Sequence, residues 1–243
     1  MQKDFKVAMK IAYYGGAFFG FQRQNEVLSV SDFLSEKFRS VGIFGEFLAS
    51  GRTDRGVHAS AQVISLNVPH FWDNLEELKT RLNKKLYPYV KIKRIWRVSD
   101  EFNARFHAKR RGYCYLLSKQ NSPFLNTISL PYLPQNPNLI RLALKELEGQ
   151  HNFSAFCKSD GCGEKGAIRT IFKARLKEYG GFYIFSFWGS GFLRSQIRLM
   201  VGILLEIDKG NLSIDDLKRQ LQGEKIYRIP IAPHGLFLTR VDY

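Results

Sequence analysis

The amino-acid sequence predicts an α+β fold of two ferredoxin-like (split βαβ) halves, forming a mostly antiparallel mixed sheet with helices on one side. Three observations predict it. The first part of the chain switches between strand-like and helix-like apolar periods in the order strand, helix, strand, strand, helix, strand, the split βαβ arrangement. The second part repeats that order loosely, without a sequence repeat at a fixed period. With 44% hydrophobic and 24% charged residues over 243 positions, the chain can bury a real core and falls outside the disordered range.

Phe5 to Tyr14 alternates, with Phe5, Val7, Met9, Ile11 and Tyr13 on one face and Lys6 and Lys10 on the other, a strand that Gly15-Gly16 ends. Ser29 and Asp32 form a capping-box pattern that opens a helix with the stripe Val30, Phe33, Leu34, Phe38 and Val41. Glu46 to Ser50 reads as a short strand, and Ala61 to Val68 as a longer one with Ile64, Leu66 and Val68 inward. Asp73 and Glu76 are expected to cap a helix whose stripe is Leu75, Leu78, Leu82 and Leu86. In the strand Val90 to Val98, Ile92, Trp96 and Val98 share one side and Lys91, Lys93 and Arg97 the other. We place the boundary near Ala104, giving halves 1–104 and 105–243.

Beyond it, Tyr113 to Ser118 is a strand, followed by a connector holding Pro123, Pro131, Pro134 and Pro137. Pro137 suits the first turn of a helix through Leu147, which Gly149 ends. Thr170–Tyr179 and Phe182–Trp188 read as a hairpin across Gly180-Gly181. A helix over Phe192–Ile207 turns Ile197, Met200, Val201, Leu204 and Leu205 inward. Ser213 and Asp216 cap a further helix ending at Gly223, and Leu236 to Tyr243 is the last strand.

The longest apolar run, Leu199 to Leu205, is far short of the ~20 residues that span a bilayer, and the start carries no signal-like stretch, so a soluble cytosolic protein is expected. The formal net charge is +15, and between Lys79 and Lys145 fifteen Lys and Arg face only Asp100 and Glu101. A second basic stretch runs from Lys165 to Arg198. Charge concentrated in this way points to a polyanion, nucleic acid before a membrane surface, because no helix pairs a broad apolar face with a Lys-rich one. The split βαβ order leaves one sheet face free of helices, the platform RNA-binding modules use, and a central RNA-binding cleft is expected. Cys157 and Cys162 with His151 nearby give too few ligands for zinc, so reduced structural thiols and no metal are expected.

Gly51-Arg52-Thr53-Asp54-Arg55-Gly56-Val57-His58-Ala59 joins two strands and packs a carboxylate, two guanidiniums and a histidine into one loop. The flanking arginines favour an ionised Asp54. From the loop alone, Asp54 is either a catalytic carboxylate or a turn residue in a surface ion pair. His58 reads as a loop-holding hydrogen-bond partner rather than a general base.

This loop resembles the G-R-T-D-x-G-V-H-A signature of the tRNA pseudouridine synthase A family. Phe102-Asn103-Ala104-Arg105-Phe106-His107-Ala108 followed by Arg111-Gly112-Tyr113-Cys114-Tyr115 is similar to its R-F-x-A…R-x-Y-x-Y segment. Phe192-Leu193 through Ile197-Arg198 and Gly202 is similar to its F-L-x-x-M-V-R-x-x-x-G helix, and Ala232-Pro233-His234-Gly235-Leu236 to Tyr243 to its A-P-x-x-G-L…V-x-Y tail. Gln196-Ile197 and Tyr87-Pro88 depart from the family's Met-Val and Leu-Pro, both expected to be packing positions.

The resemblance implies isomerisation of uridine to pseudouridine in the tRNA anticodon stem-loop, at the positions conventionally numbered 38, 39 and 40. It also implies a homodimer that needs neither cofactor nor metal. Asp54 matches the catalytic aspartate, and Tyr113 the tyrosine that contacts the target base. Arg198, four residues after Arg194 and expected on the same helical side, either pairs with Asp54 or contacts phosphate. Arg52 is the candidate for filling the space left by the flipped base or for holding a phosphate. A non-catalytic RNA-binding protein and an RNA hydrolase remain as alternative readings of the same residues.

Overall fold

Nine residues of alternating polarity, Phe5–Tyr13, form β1, the strand around which the first part of the chain is organised. The computed structural model describes residues 3–158 and 166–243. The chain divides into two compact units, Met1–Lys109 with Leu238–Tyr243, and Arg110–Phe237. Both are α+β, and antiparallel pairing predominates in their sheets, with one short parallel pairing in the second unit.

In the first unit β1 is followed by α1 (Val30–Arg39), β2 (Leu48–Ala49), β3 (His58–Val68), α2 (Leu75–Leu86) and β4 (Val90–Arg97). β1 pairs antiparallel with β3 on one side and β4 on the other, and the final strand β10 (Leu236–Asp242) lies beyond β3. The capping box of α1 forms as expected, Ser29 accepting from the Asp32 backbone while the Asp32 carboxylate reaches back to Ser29. The cap of α2 is Asn74 rather than Asp73, whose carboxylate pairs with Arg97 at 3.1 Å. Asn83 bonds both the N–H and the C=O of Ile92, fastening α2 along β4.

The register places Val7 opposite Leu66, Met9 opposite Ile64 and Ile11 opposite Gln62 on one face. Strand β4 departs from the expected alternation. Lys10 pairs with Arg94 but Ile11 with Ile92, so one extra residue bulges out between them. Past that point the sides exchange, and Ile95, not Trp96, lies with Ile92 among the buried residues. Trp96 joins Val98, Phe102, Val241 and Tyr243 around the buried Ala8, Val63 and Ala104. The second sheet face of this unit is therefore covered by irregular chain and the C-terminal tyrosine. The expected open platform is closed around Ala8 and Val63, while Ala12 and Ser60 further along that face are partly exposed.

The second unit runs β5 (Arg110–Ser118), β6 (Leu130–Pro131), α3 (Pro137–Glu146), β7 (Gly149–Asn152), β8 (Ile168–Tyr179), β9 (Phe182–Gly189), α4 (Gln196–Asp208) and α5 (Ile214–Leu221). Its strands lie in the order β5, β9, β8, β7, with β6 parallel to β5. Gly180 and Gly181 both take positive φ, 56° and 83°, the conformation that a two-residue hairpin turn requires. α4 begins at Gln196, later than the apolar pattern suggests, because Ser195 sits in the left-handed region at φ 62°. Eleven of its thirteen residues are buried, so the helix is enclosed on nearly every side instead of along one stripe. At its end Asp208, 5% exposed, accepts from the Tyr132 hydroxyl and the Gln135 and Asn136 N–H groups. Burial, then that bond, push the Tyr132 hydroxyl well above its ordinary pKa.

Candidate active site

The loop between β2 and β3 is fixed from beneath by a side chain the apolar pattern hides. Gln62 is fully buried in the inner row of β3, where it accepts from the Ser50 hydroxyl and donates to the Gly51 carbonyl at 2.7 Å. Further along the loop, the Thr53 hydroxyl meets Tyr13 Oη at 2.8 Å, and the Thr53 carbonyl accepts from the Phe21 N–H. The backbone at Gly15 and Gly20 runs close against the loop. A Cβ on Gly15 would lie 2.1 Å from the Val57 carbonyl oxygen, and one on Gly20 3.2 Å from that of Thr53. His58, 1% exposed, accepts the Gly15 N–H on Nδ1 at 3.0 Å, which puts its neutral-form proton on Nε2. That is the loop-holding part expected of it.

Asp54 is half-buried on this loop, and its carbonyl accepts from the Val57 N–H to close the turn. Arg52 is exposed. Arg55 is exposed as well, with its guanidinium 4.0 Å from the centre of the Phe19 ring. A carboxylate held on a loop with this many backbone anchors keeps its position without needing substrate to order it.

Tyr113, Arg194 and Arg198 belong to the second unit. Tyr113 lies on β5 opposite Phe187 of β9, is 8% exposed, and meets Phe192 edge-on at 5.3 Å. Arg198 stands in the first turn of α4 and donates from Nε to the Ile231 carbonyl at 2.7 Å. Arg194 precedes the helix, separated from it by the left-handed Ser195, so the expected same-side helical relation of Arg194 and Arg198 does not hold. Burial depresses the His234 pKa, and the nearby Arg198 charge acts in the same direction. Tyr115 is wholly buried, donates to the Ala232 carbonyl at 2.8 Å, and has its pKa raised by that burial.

Sequence reasoning does not single out Gln62, Tyr13, Gly15 or Gly20 as residues that build this site. Gln62 does leave a signal, being the one polar residue in the row 62, 64, 66, 68 that otherwise faces the core. Cys157 corrects another expectation: it is disulfide-bonded rather than a reduced thiol, which also removes it as a thiolate ligand. Cys162 lies outside the described residues, and Cys114 keeps its thiol 3.4 Å from Ser186 Oγ. Among the described residues no three His, Cys, Asp or Glu side chains gather as metal ligands would.

Comparison with known proteins agrees with the motifs. The family profile described as tRNA pseudouridine synthase matches residues 143–243. The tRNA pseudouridine synthase A of Helicobacter hepaticus is 42% identical, covering 96% of this chain and 97% of that protein. Its counterpart from Wolinella succinogenes is 38% identical over 96% and 92%, and that from Helicobacter pylori 35% over 96% and 97%. Among solved structures, a Cbf5-Nop10-Gar1 complex is similar with a TM-score of 0.35 and 11% identity, over 80% of this chain and 44% of that one. With relatives this close along almost its full length, the chain belongs to the tRNA pseudouridine synthase A family.

Proposed function

We propose that this protein isomerises uridine to pseudouridine in tRNA, at positions 38, 39 and 40 of the anticodon stem-loop, with Asp54 as the nucleophile. The observation that carries the reading is the Asp54 loop itself, which bears the family signature and is anchored through Gln62, Thr53 and His58. The reaction breaks the bond from C1′ to N1, turns the uracil and rejoins it through C5. The proton leaves C5 and N1 is reprotonated, so atoms and electrons balance without redox chemistry. An ionised carboxylate serves both as nucleophile and as acceptor of the C5 proton.

A stem nucleotide has to leave the helix before it can react, and the extruded base needs an aromatic wall. Tyr113 is assigned that role. Arg52 and Arg198 are assigned to the substrate as donors to phosphate or to the space the base vacates. The enzyme is read as a cytoplasmic homodimer, and no described helix is long and apolar enough to cross a membrane.

Asp54→Asn is the test, with tRNA carrying tritium at uracil C5. The amide keeps the shape but can neither attack nor take the proton, so label release should cease while tRNA affinity stays within a few-fold. Substantial release by a verified Asp54→Asn protein would remove Asp54 from the chemistry. Shortened RNA would indicate a hydrolase, and binding without release by the unmodified enzyme would indicate a binding protein.

A further inference from the structure

The turn that joins α2 to β4 is expected from the sequence to pack inward, and it does not. Tyr87 is 80% exposed and Tyr89 45%, whereas the other departure from the family pattern, Gln196-Ile197, is buried. A single exposed ring is ordinary on a protein surface, and Tyr87 gains its interest from the exposed rings and cations that share its end of the sheet. Its position is informative. The Tyr89 carbonyl accepts from the Tyr14 N–H at 2.9 Å, and β1 pairs Tyr13 with Val90 on one side and Ala59 on the other. The Tyr87–Tyr89 turn and the Asp54 loop thus leave the same end of one sheet, from strands whose registered residues Val90 and Ala59 are two strand spacings, about 10 Å, apart.

The ground between them is aromatic. Tyr14, 37% exposed, lies 5.1 Å from the His58 ring, and Phe19, 39% exposed, carries the Arg55 guanidinium. Tyr89 is braced edge-on by Phe18 at 6.2 Å and Phe33 at 6.5 Å, so its exposed edge is rigid. The charge is also disposed for RNA. On α2, Glu77 is taken up by Arg81 at 2.6 Å and Glu76 by Lys79. Lys84 and Lys85 in the last turn, and Lys91 just past the tyrosines, are exposed and pair with no acid among the described residues. Rings interleaved with unpaired bases make a surface for single-stranded nucleic acid, where ring faces stack on bases and cations hold phosphates.

We propose that this turn is a second RNA-binding site, at which Tyr87 stacks on an unpaired base of the same tRNA, near the nucleotide presented to Asp54. Lys84, Lys85 and Lys91 hold the adjoining phosphates. The inference rests on the proposed function for the identity of the RNA, and it is tested through binding, apart from catalysis.

Equilibrium binding of unmodified tRNA is measured across a salt series for Tyr87→Ala, Tyr87→Phe and a Lys84→Gln, Lys85→Gln, Lys91→Gln triple variant. Melting temperature checks the fold. Tyr87→Ala should weaken binding about 5- to 150-fold, the range of one stacked base, with the salt slope unchanged. Tyr87→Phe should bind as the parent does. The triple variant should lower the slope of log affinity on log salt by about 0.7–0.9 for each phosphate that those lysines neutralise. Tyr87→Ala binding tRNA at parental affinity overturns the proposal, as does a weakening that Tyr87→Phe shares. If the parent protein binds tRNA through Tyr87 yet releases no tritium, the second site stands and the isomerase reading falls.

Discussion

Tyr113 carries two separable properties, a ring that meets Phe192 and is proposed as the wall for the flipped base, and a hydroxyl proposed to serve the chemistry. Tyr113→Phe keeps the ring, so melting temperature and tRNA binding should hold while single-turnover rate falls on the order of a hundredfold. Tyr113→Leu also removes the aromatic pair, about 0.5–1.5 kcal/mol, and should melt earlier as well. A Tyr113→Phe protein with full activity would take the hydroxyl out of the mechanism. Gln62 allows a sharper test of loop positioning. Gln62→Leu leaves the Ser50 hydroxyl and the Gly51 carbonyl without that partner, at a cost of about 1–3 kcal/mol for a buried polar group. Because the loop is then no longer registered against β3, kcat should drop about tenfold or more with KM within a few-fold. A raised KM with kcat unchanged would show a role in binding instead. The sequence makes Asp54 conspicuous through its neighbours, but Gln62 acts from another strand, and only the parity of its row betrays it.

At the scale of elements, periodicity locates the long strands and helices, and local signals set most ends. The Ser29 and Ser213 capping boxes form because each needs only four consecutive residues. Where a boundary or a face depends on a partner strand, the pattern misleads. The bulge between Ile92 and Arg94 is a property of pairing with β1, and it exchanges the two sides of β4. β7, four residues long with two of them exposed, has no apolar alternation to reveal it. Gly202 shows packing at the same scale. A Cβ there would sit 2.5 Å from the Tyr227 ring, and Tyr227 is itself held by Gln220, which accepts its N–H at 2.8 Å. Gly202→Ala should therefore destabilise the protein by about 1–3 kcal/mol, seen as a lower melting temperature, despite the better helix propensity of alanine. Unchanged melting would mean that Tyr227 can swing away from α4.

For the whole molecule, a net charge of +15 acts on folding and on binding in opposite senses. Like charges repel in the compact state, so added salt screens them and should raise the melting temperature. The same salt should weaken tRNA binding steeply, because releasing counterions into a more concentrated solution gains less. Raising salt from about 50 to 200 mM should move the two measurements apart, with affinity falling ~10³-fold or more if six or more phosphates are neutralised. Affinity that is flat across this range would place the basic residues away from RNA. Composition discloses the polyanion, but the covering of the sheet face by Phe102, Ala104 and Tyr243 is hidden, because those residues converge from distant parts of the chain.

That covering has a consequence for timing. Tyr243 bonds the Ala104 carbonyl at 2.9 Å and the Asp242 carbonyl accepts from the Lys109 N–H, so the first unit is finished by its last six residues. The whole stretch Arg110–Phe237 lies between. On the ribosome, then, the part of the protein made first closes last. Through most of translation Ala8 and Val63 have only Trp96, Val98 and Phe102 against them, and Val241 and Tyr243 complete that cover at the end.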